Sequence, residues 1–205
     1  MTSPTVRWSG ATSDQAPLVV LLHGRGSNEN EIAPLASVLG DNVAVAALRG
    51  PVVLGPTSFT WFENRGIGRP LPESLRSSIT WFRQWLDEVA PSRPVVLIGF
   101  SGGTAFAGGA LLDDPTRFAG AALLYGTIPF DAGVPTTPQR LVGVPVLHAQ
   151  GSDDPVMPRD LMDATWAYLT SESGADLTSF RTIGGHAIAP EVAAALGPWV
   201  AQRTA

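Results

Sequence analysis

Apolar positions along this chain fall into two patterns that alternate. Short continuous runs rich in Val, Leu and Ala, at Leu18–Leu22, Val43–Ala47, Val95–Ile98, Ala121–Leu124 and Val144–Leu147, read as strands. Their continuity, in place of an in–out alternation, predicts burial on both faces, as in a parallel sheet. Leu177 to Ile183 is a weaker, alternating sixth candidate. Between these runs the spacing is helical. Leu75, Ile79, Phe82, Leu86 and Val89 recur at three- and four-residue steps, as do Ile32, Leu35, Ala36 and Leu39 after a possible cap at Ser27 or Asn28. Leu161 to Leu169 and Glu191 to Val200 complete the set. Strand–helix alternation with right-handed crossovers predicts an α/β fold: a mostly parallel, doubly wound sheet flanked by helices, one domain over residues 1–205.

Two segments break the rhythm. Leu48 to Pro72 and Thr127 to Gln139 are rich in Gly, Pro and Thr and are expected to be loops. The first is long for a compact domain, which points to function. In open α/β sheets the site lies beyond the C-terminal ends of the strands, so the residues just after each apolar run carry the interest.

Composition narrows the chemistry. The 205 residues suit one domain, and 44% hydrophobic against 15% charged residues is the reverse of a disordered chain. A net charge of −5 argues against a nucleic-acid partner. Cysteine is absent, and all 13 basic residues are arginine. Disulfides, cysteine-ligated zinc, a thiol nucleophile, a Schiff base and a phosphate-loop lysine are therefore excluded. The start, Met1 to Pro17, is polar and lacks the basic and apolar regions of a secretory signal, while Leu18–Leu22 is far short of a membrane span. A cytoplasmic protein without a membrane span is the expectation.

Directly after the Val95–Ile98 run stands Gly99-Phe100-Ser101-Gly102-Gly103, a G-x-S-x-G pattern, followed by a stretch of small residues. A nucleophilic serine needs a sharp strand-to-helix turn that lifts its hydroxyl above the sheet, and the flanking glycines allow strand and helix to approach. Serine also needs a base. Of three histidines, His148 lies inside a strand run and reads as a core residue, and His23 ends the first strand. His186, in Gly184-Gly-His-Ala187, occupies a loop between the last strand and the last helix and is the candidate base. A carboxylate to orient it is offered by Gly151-Ser-Asp153-Asp154-Pro155, where two aspartates compete and Asp153 is expected to cap a turn. The order Ser, Asp, His is that of the α/β-hydrolases. Oxyanion donors would be the amides of Gly102 and of the early His23-Gly24-Arg25-Gly26 loop, at Arg25. That loop also resembles a dinucleotide fingerprint, but Glu29 stands where a third glycine belongs and no acid follows the next strand. No two histidines lie at ligand spacing. Neither a metal nor a cofactor is expected.

With these residues placed, the chain resembles the phospholipase/carboxylesterase family of α/β-hydrolases, which includes acyl-protein thioesterases. The resemblance runs in order through Leu21-Leu-His-Gly-Arg-Gly26, the acidic helix start Asn28 to Leu35 and Ser58-Phe-Thr-Trp-Phe-Glu63. It continues through Gly99–Gly103, Gly151-x-x-Asp154-Pro-x-x-Pro158 and Gly185-His186. It implies a triad of Ser101, Asp154 and His186, with Asp154 chosen because the family's aspartate immediately precedes proline, and an oxyanion hole from the Arg25 and Gly102 amides. Many members carry Gln where this chain has Gly102, and the related dienelactone hydrolases use a cysteine this chain lacks. Members act on carboxylic esters, lysophospholipids or acyl thioesters.

Spacing contributes one expectation of its own. The 52 positions between Ser101 and Asp154 leave no room for a lid domain, so the site should be shallow and bordered by the two irregular segments. Phe59, Trp61, Phe62 and Ile67 are candidates for the acyl side, with His23 beside them; Trp61 and Phe62 serve equally well as pins for a long loop. The reading is a serine hydrolase acting on a small-molecule ester or thioester, as monomer or homodimer. Its alternatives are an amidase or peptidase on the same fold and a catalytically silent binding protein.

Overall fold

In the computed structural model, which describes residues 3–204, seven strands form one sheet in the order β1-β3-β2-β8-β9-β10-β11. Positions 1 and 2 of the polar start fall outside the described residues. The strands are β1 (Val6–Gly10), β2 (Leu18–Leu22), β3 (Ala44–Leu48), then after two small hairpins β8 (Val95–Phe100), β9 (Gly120–Leu124), β10 (Pro145–Gly151) and β11 (Asp176–Thr182). All neighbours pair in parallel except β1, which runs antiparallel along β3 at one edge.

The continuous apolar runs are explained by the two sides of this sheet. Side chains alternate across a strand, so Leu18, Val20 and Leu22 enter one core while Val19 and Leu21 enter the other. The first core packs against α2 (Pro72–Val89) and α3 (Gly102–Asp113); the second packs against Ile32, Leu39 and α5 (Pro190–Ala201). Both cores are apolar, so neither set of alternate positions can be polar.

Boundaries shift where local chemistry overrides periodicity. The Ile32–Leu39 helix is in fact a single α turn, α1 (Glu29–Ile32), capped by Asn28, then a 3-10 stretch Ala33–Val38 entered through Pro34. Proline supplies no amide to continue the α ladder. Helix α4 (Arg159–Ala167) runs on into a wider turn at Tyr168–Glu172.

Three features escaped the apolar pattern. Strand β1 is largely exposed and polar, as an edge strand can be. The expected Leu48–Pro72 loop holds two hairpins, β4 (Val52–Gly55) with β5 (Ser58–Thr60) and β6 (Asn64–Gly66) with β7 (Arg69–Pro70). Their strands are too short for alternation to register, and the Gly and Pro that suggested a loop mark their turns. Thr127–Gln139 carries no helix or strand, as its composition indicates. No lid domain interrupts the path from α3 through β9 to β10. Among the described residues no helix is long and apolar enough to cross a membrane.

Candidate active site

The site is assembled where β2, β8, β9, β10 and β11 end. Ser101 directly follows β8 and has φ 55° and ψ −116°, a conformation that non-glycine residues rarely adopt. Such strain, of order 1–3 kcal/mol, persists only where the surroundings hold it. Here they do. The Ser101 amide donates to Leu124 O at 2.9 Å, and Thr104 Oγ1 binds both Gly99 O and Leu124 O at 2.8 and 2.7 Å. The glycines on either side leave no room for anything larger: a Cβ on Gly99 would lie 2.3 Å from Gly103 O, and one on Gly103 would lie 2.1 Å from Leu22 O.

His186 comes from the loop after β11, and this loop packs on the end of β10 because Gly151 has no side chain. A Cβ there would lie 2.5 Å from the carbonyl oxygens of both Gly184 and Gly185. The imidazole bridges two other sequence-nominated residues: its Nδ1 is 2.7 Å from Asp154 Oδ2 and its Nε2 is 2.8 Å from Ser101 Oγ. The carboxylate accepts the Nδ1 proton, which leaves Nε2 free to accept from the serine hydroxyl. Asp154 Oδ1 also accepts the amides of Val156 and Met157 at 2.8 and 3.0 Å. Burial favours the neutral acid, but the His186 bond and these two amides outweigh it and hold the carboxyl below its ordinary pKa. The neighbouring Asp153 stays exposed, bonded to the Ser152 hydroxyl, while its amide donates to Gly184 O.

The two nominated amides lie together. Gly102 opens α3, where the first N–H groups have no helical acceptor, and a Cβ on Gly102 would sit 3.0 Å from the Arg25 nitrogen. The Arg25 loop is held by pairing between Ser27 and Phe59 of β5, with Gly26 also donating to Phe59 O. At its far side Arg49 makes two bonds to the buried Glu29, at 2.7 and 2.6 Å, and lies over the Phe59 ring.

Beside Ser101 opens a cavity of about 450 Å³ whose wall includes Phe62, Ile67, Phe100, Val156 and Met157. Two expectations about this wall are corrected. Trp61 does not reach it: the side chain is fully buried, donates from Nε1 to His23 O at 2.7 Å and stacks on Phe106, so it pins the long segment to the core. Phe59 likewise packs under Arg49. His23 borders the cavity, but its imidazole offers a substrate no polar atom. Nε2 accepts the Gly50 amide at 3.0 Å, which puts the proton on Nδ1 to donate to Gly24 O at 2.7 Å. Burial lowers the pKa of this ring below the ordinary histidine value. His148, as its place in a strand suggested, is fully buried and bonds Leu123 O through Nδ1.

One supporting residue had no sequence signal beyond an aromatic just past a strand end. Tyr125, itself at φ 49°, follows β9, and its hydroxyl contacts Thr182 Oγ1 at 3.0 Å and accepts the Ala189 amide at 3.1 Å. It thereby ties both ends of the His186 loop. Among the described residues no group of three His, Cys, Asp or Glu side chains could hold a metal ion.

With this geometry established, known proteins provide the comparison. The sequence pattern of the phospholipase/carboxylesterase family matches residues 9–197. MhqD of Bacillus subtilis (strain 168), which carries a hydrolase name, is 24% identical over 193 residues, 92% of this chain and 93% of that one. The crystal structure of the carboxylesterase from Mesorhizobium loti shares 27% identity and superposes with a TM-score of 0.82 over 97% of this chain and 94% of that chain. The Bacillus cereus carboxylesterase, 24% identical, shares the fold with a TM-score of 0.83 over 98% of this chain and 94% of its own.

Proposed function

This chain belongs to the phospholipase/carboxylesterase family of α/β-hydrolases, and from that premise we propose that it cleaves carboxylic esters or thioesters through an acyl-enzyme on Ser101. The observation that carries the proposal is the unbroken hydrogen-bonded line from Asp154 through His186 to Ser101, with both links under 3 Å.

In the first step His186 Nε2 takes the Ser101 proton as Oγ bonds to the substrate carbonyl carbon, and the carbonyl oxygen becomes an oxyanion. The amides of Arg25 and Gly102 receive that charge, each contributing about 3 kcal/mol to the transition state. Asp154 keeps the imidazole in the tautomer with its free pair toward serine and stabilises the imidazolium. Collapse expels the alcohol or thiol, which takes the proton from His186. Water then gives a proton to His186 and attacks the acyl-serine, releasing the acid and restoring the hydroxyl.

A fluorophosphonate should add to Ser101, read by intact mass and peptide mapping. Ser101→Ala should abolish both the adduct and the hydrolysis of p-nitrophenyl butyrate while the circular dichroism spectrum is retained. Turnover surviving in that variant would refute the assignment.

A further inference from the structure

We infer that the cavity beside Ser101 contains a subsite for a substrate hydroxyl, formed by Thr127 and Asn64, and that its substrates are hydroxylated acyl esters in place of plain alkyl ones. The inference rests on the acyl-enzyme reading above and names the class of acyl group.

Thr127 follows β9 and is only 1% exposed, yet its Oγ1 is buried with no hydrogen-bond partner. Asn64, in β6, likewise has a buried Oδ1 with no partner. Both residues line the same cavity, and they are the only cavity-lining residues among the described residues whose buried side-chain polar atoms lack a partner. Protein interiors pair nearly all such atoms, because an unpaired one has given up its water for nothing. Two at one substrate cavity indicate partners that arrive with the ligand. The cavity also carries polar side chains, Arg25, Ser27, Glu31 and His186 among them, yet none of them is placed to hydrogen-bond either atom.

The hairpin turn brings the backbone close to the threonine. Gly68 has φ +72°, and a Cβ there would lie 2.8 Å from both Thr127 Oγ1 and Leu161 Cδ1. Any side chain at this position would crowd the threonine hydroxyl as well as strain the turn. The chemistry of the two atoms selects the group. Asn64 Oδ1 only accepts, whereas the Thr127 hydroxyl has a proton to give. A substrate hydroxyl suits either atom, donating to the first or accepting from the second. An alkyl carbon does neither, and a carboxylate would face the amide oxygen with like polarity.

The experiment compares kcat/KM for methyl butyrate and its 2-, 3- and 4-hydroxy derivatives, followed by acid release, in the parent protein and in Thr127→Val, Thr127→Ser and Asn64→Leu. One hydroxy ester should be favoured over butyrate by about tenfold or more in the parent. Thr127→Val and Asn64→Leu should bring that ratio close to one, and Thr127→Ser should keep it. A purely structural role for either residue would move all four esters together and leave the ratio intact. The subsite is overturned if the parent favours no hydroxy ester, if the ratio survives both Thr127→Val and Asn64→Leu, or if no ester is turned over. Fluorophosphonate labelling of the parent separates the two failures: Ser101 labelled leaves the acyl-enzyme reading standing, and Ser101 unlabelled with no turnover removes both.

Discussion

At the scale of single residues, two adjacent aspartates of identical chemistry have unlike surroundings. Asp154 is anchored by two backbone amides and aimed at His186, while Asp153 turns to solvent and its neighbouring serine. Replacing each by asparagine isolates that difference. Asp154→Asn should lower kcat by about 10³-fold or more, because an amide can turn its NH₂ toward the ring and favour the wrong tautomer. Asp153→Asn should stay within about twofold. Equal losses in the two variants, measured at the same pH on p-nitrophenyl butyrate, would contradict the assignment. Proline after Asp154 was the sequence signal that separated them; the hydrogen bonds supply its physical content. Trp61 shows the opposite situation. An aromatic in a long irregular segment reads equally well as ligand wall or as anchor, and only the Nε1 bond to His23 O and the stacking on Phe106 decide for anchor.

At the scale of elements, the strand–turn–helix around Ser101 depends on the close approach of β2, β8 and α3. Gly103 faces the carbonyl of Leu22, a backbone atom that cannot swing aside. Gly103→Ala should therefore cost at least about 3 kcal/mol or prevent folding. Gly66→Ala, whose nearest neighbour would be 4.0 Å away, should change stability by no more than about 0.5 kcal/mol. Urea midpoints of the two variants test the contrast, and similar midpoints would refute it. The parallel strands and the long amphipathic helix α2 were legible from sequence because each repeats one physical instruction many times. Strand β1 and the two hairpins were not, since strands of two to five residues carry too little pattern to outweigh turn-forming composition. The triad candidates were legible for another reason: the chemistry leaves few residue types eligible, and this chain has three histidines in all.

At the scale of the whole molecule, two of those histidines couple folding to pH. His148 is fully buried in the sheet, and desolvation drives its pKa from 6.5 down to about 4. Burial lowers His23 in the same direction. Between 6.5 and 4 the unfolded chain binds a proton at position 148 that the folded chain refuses, and His23 acts in the same sense, so stability is complete above about pH 6.5 and falls as pH drops toward 4. Asp154, with its depressed pKa, adds a loss in the same sense only below the ordinary carboxylate value of 3.8. Urea denaturation from pH 7 to 4.5 should show this decline, and His148→Asn, whose amide can keep the bond to Leu123 O, should remove one proton's share of the slope. An unchanged slope in that variant would refute the role given to His148.

The two hairpins of the long segment divide its work. The β4–β5 hairpin braces the Arg25 loop through Ser27 and Phe59, and so is bound to the chemistry. Among the described residues the β6–β7 hairpin forms a two-stranded sheet of its own, apart from the seven-stranded sheet, and contributes Asn64 and Gly68 to the cavity. Its tip can therefore change in length or composition without shifting the register of any strand that carries Ser101, Asp154 or His186. The hairpin's share of the cavity lining and the hydrogen-bonded line from Asp154 through His186 to Ser101 thus rest on separate parts of the fold.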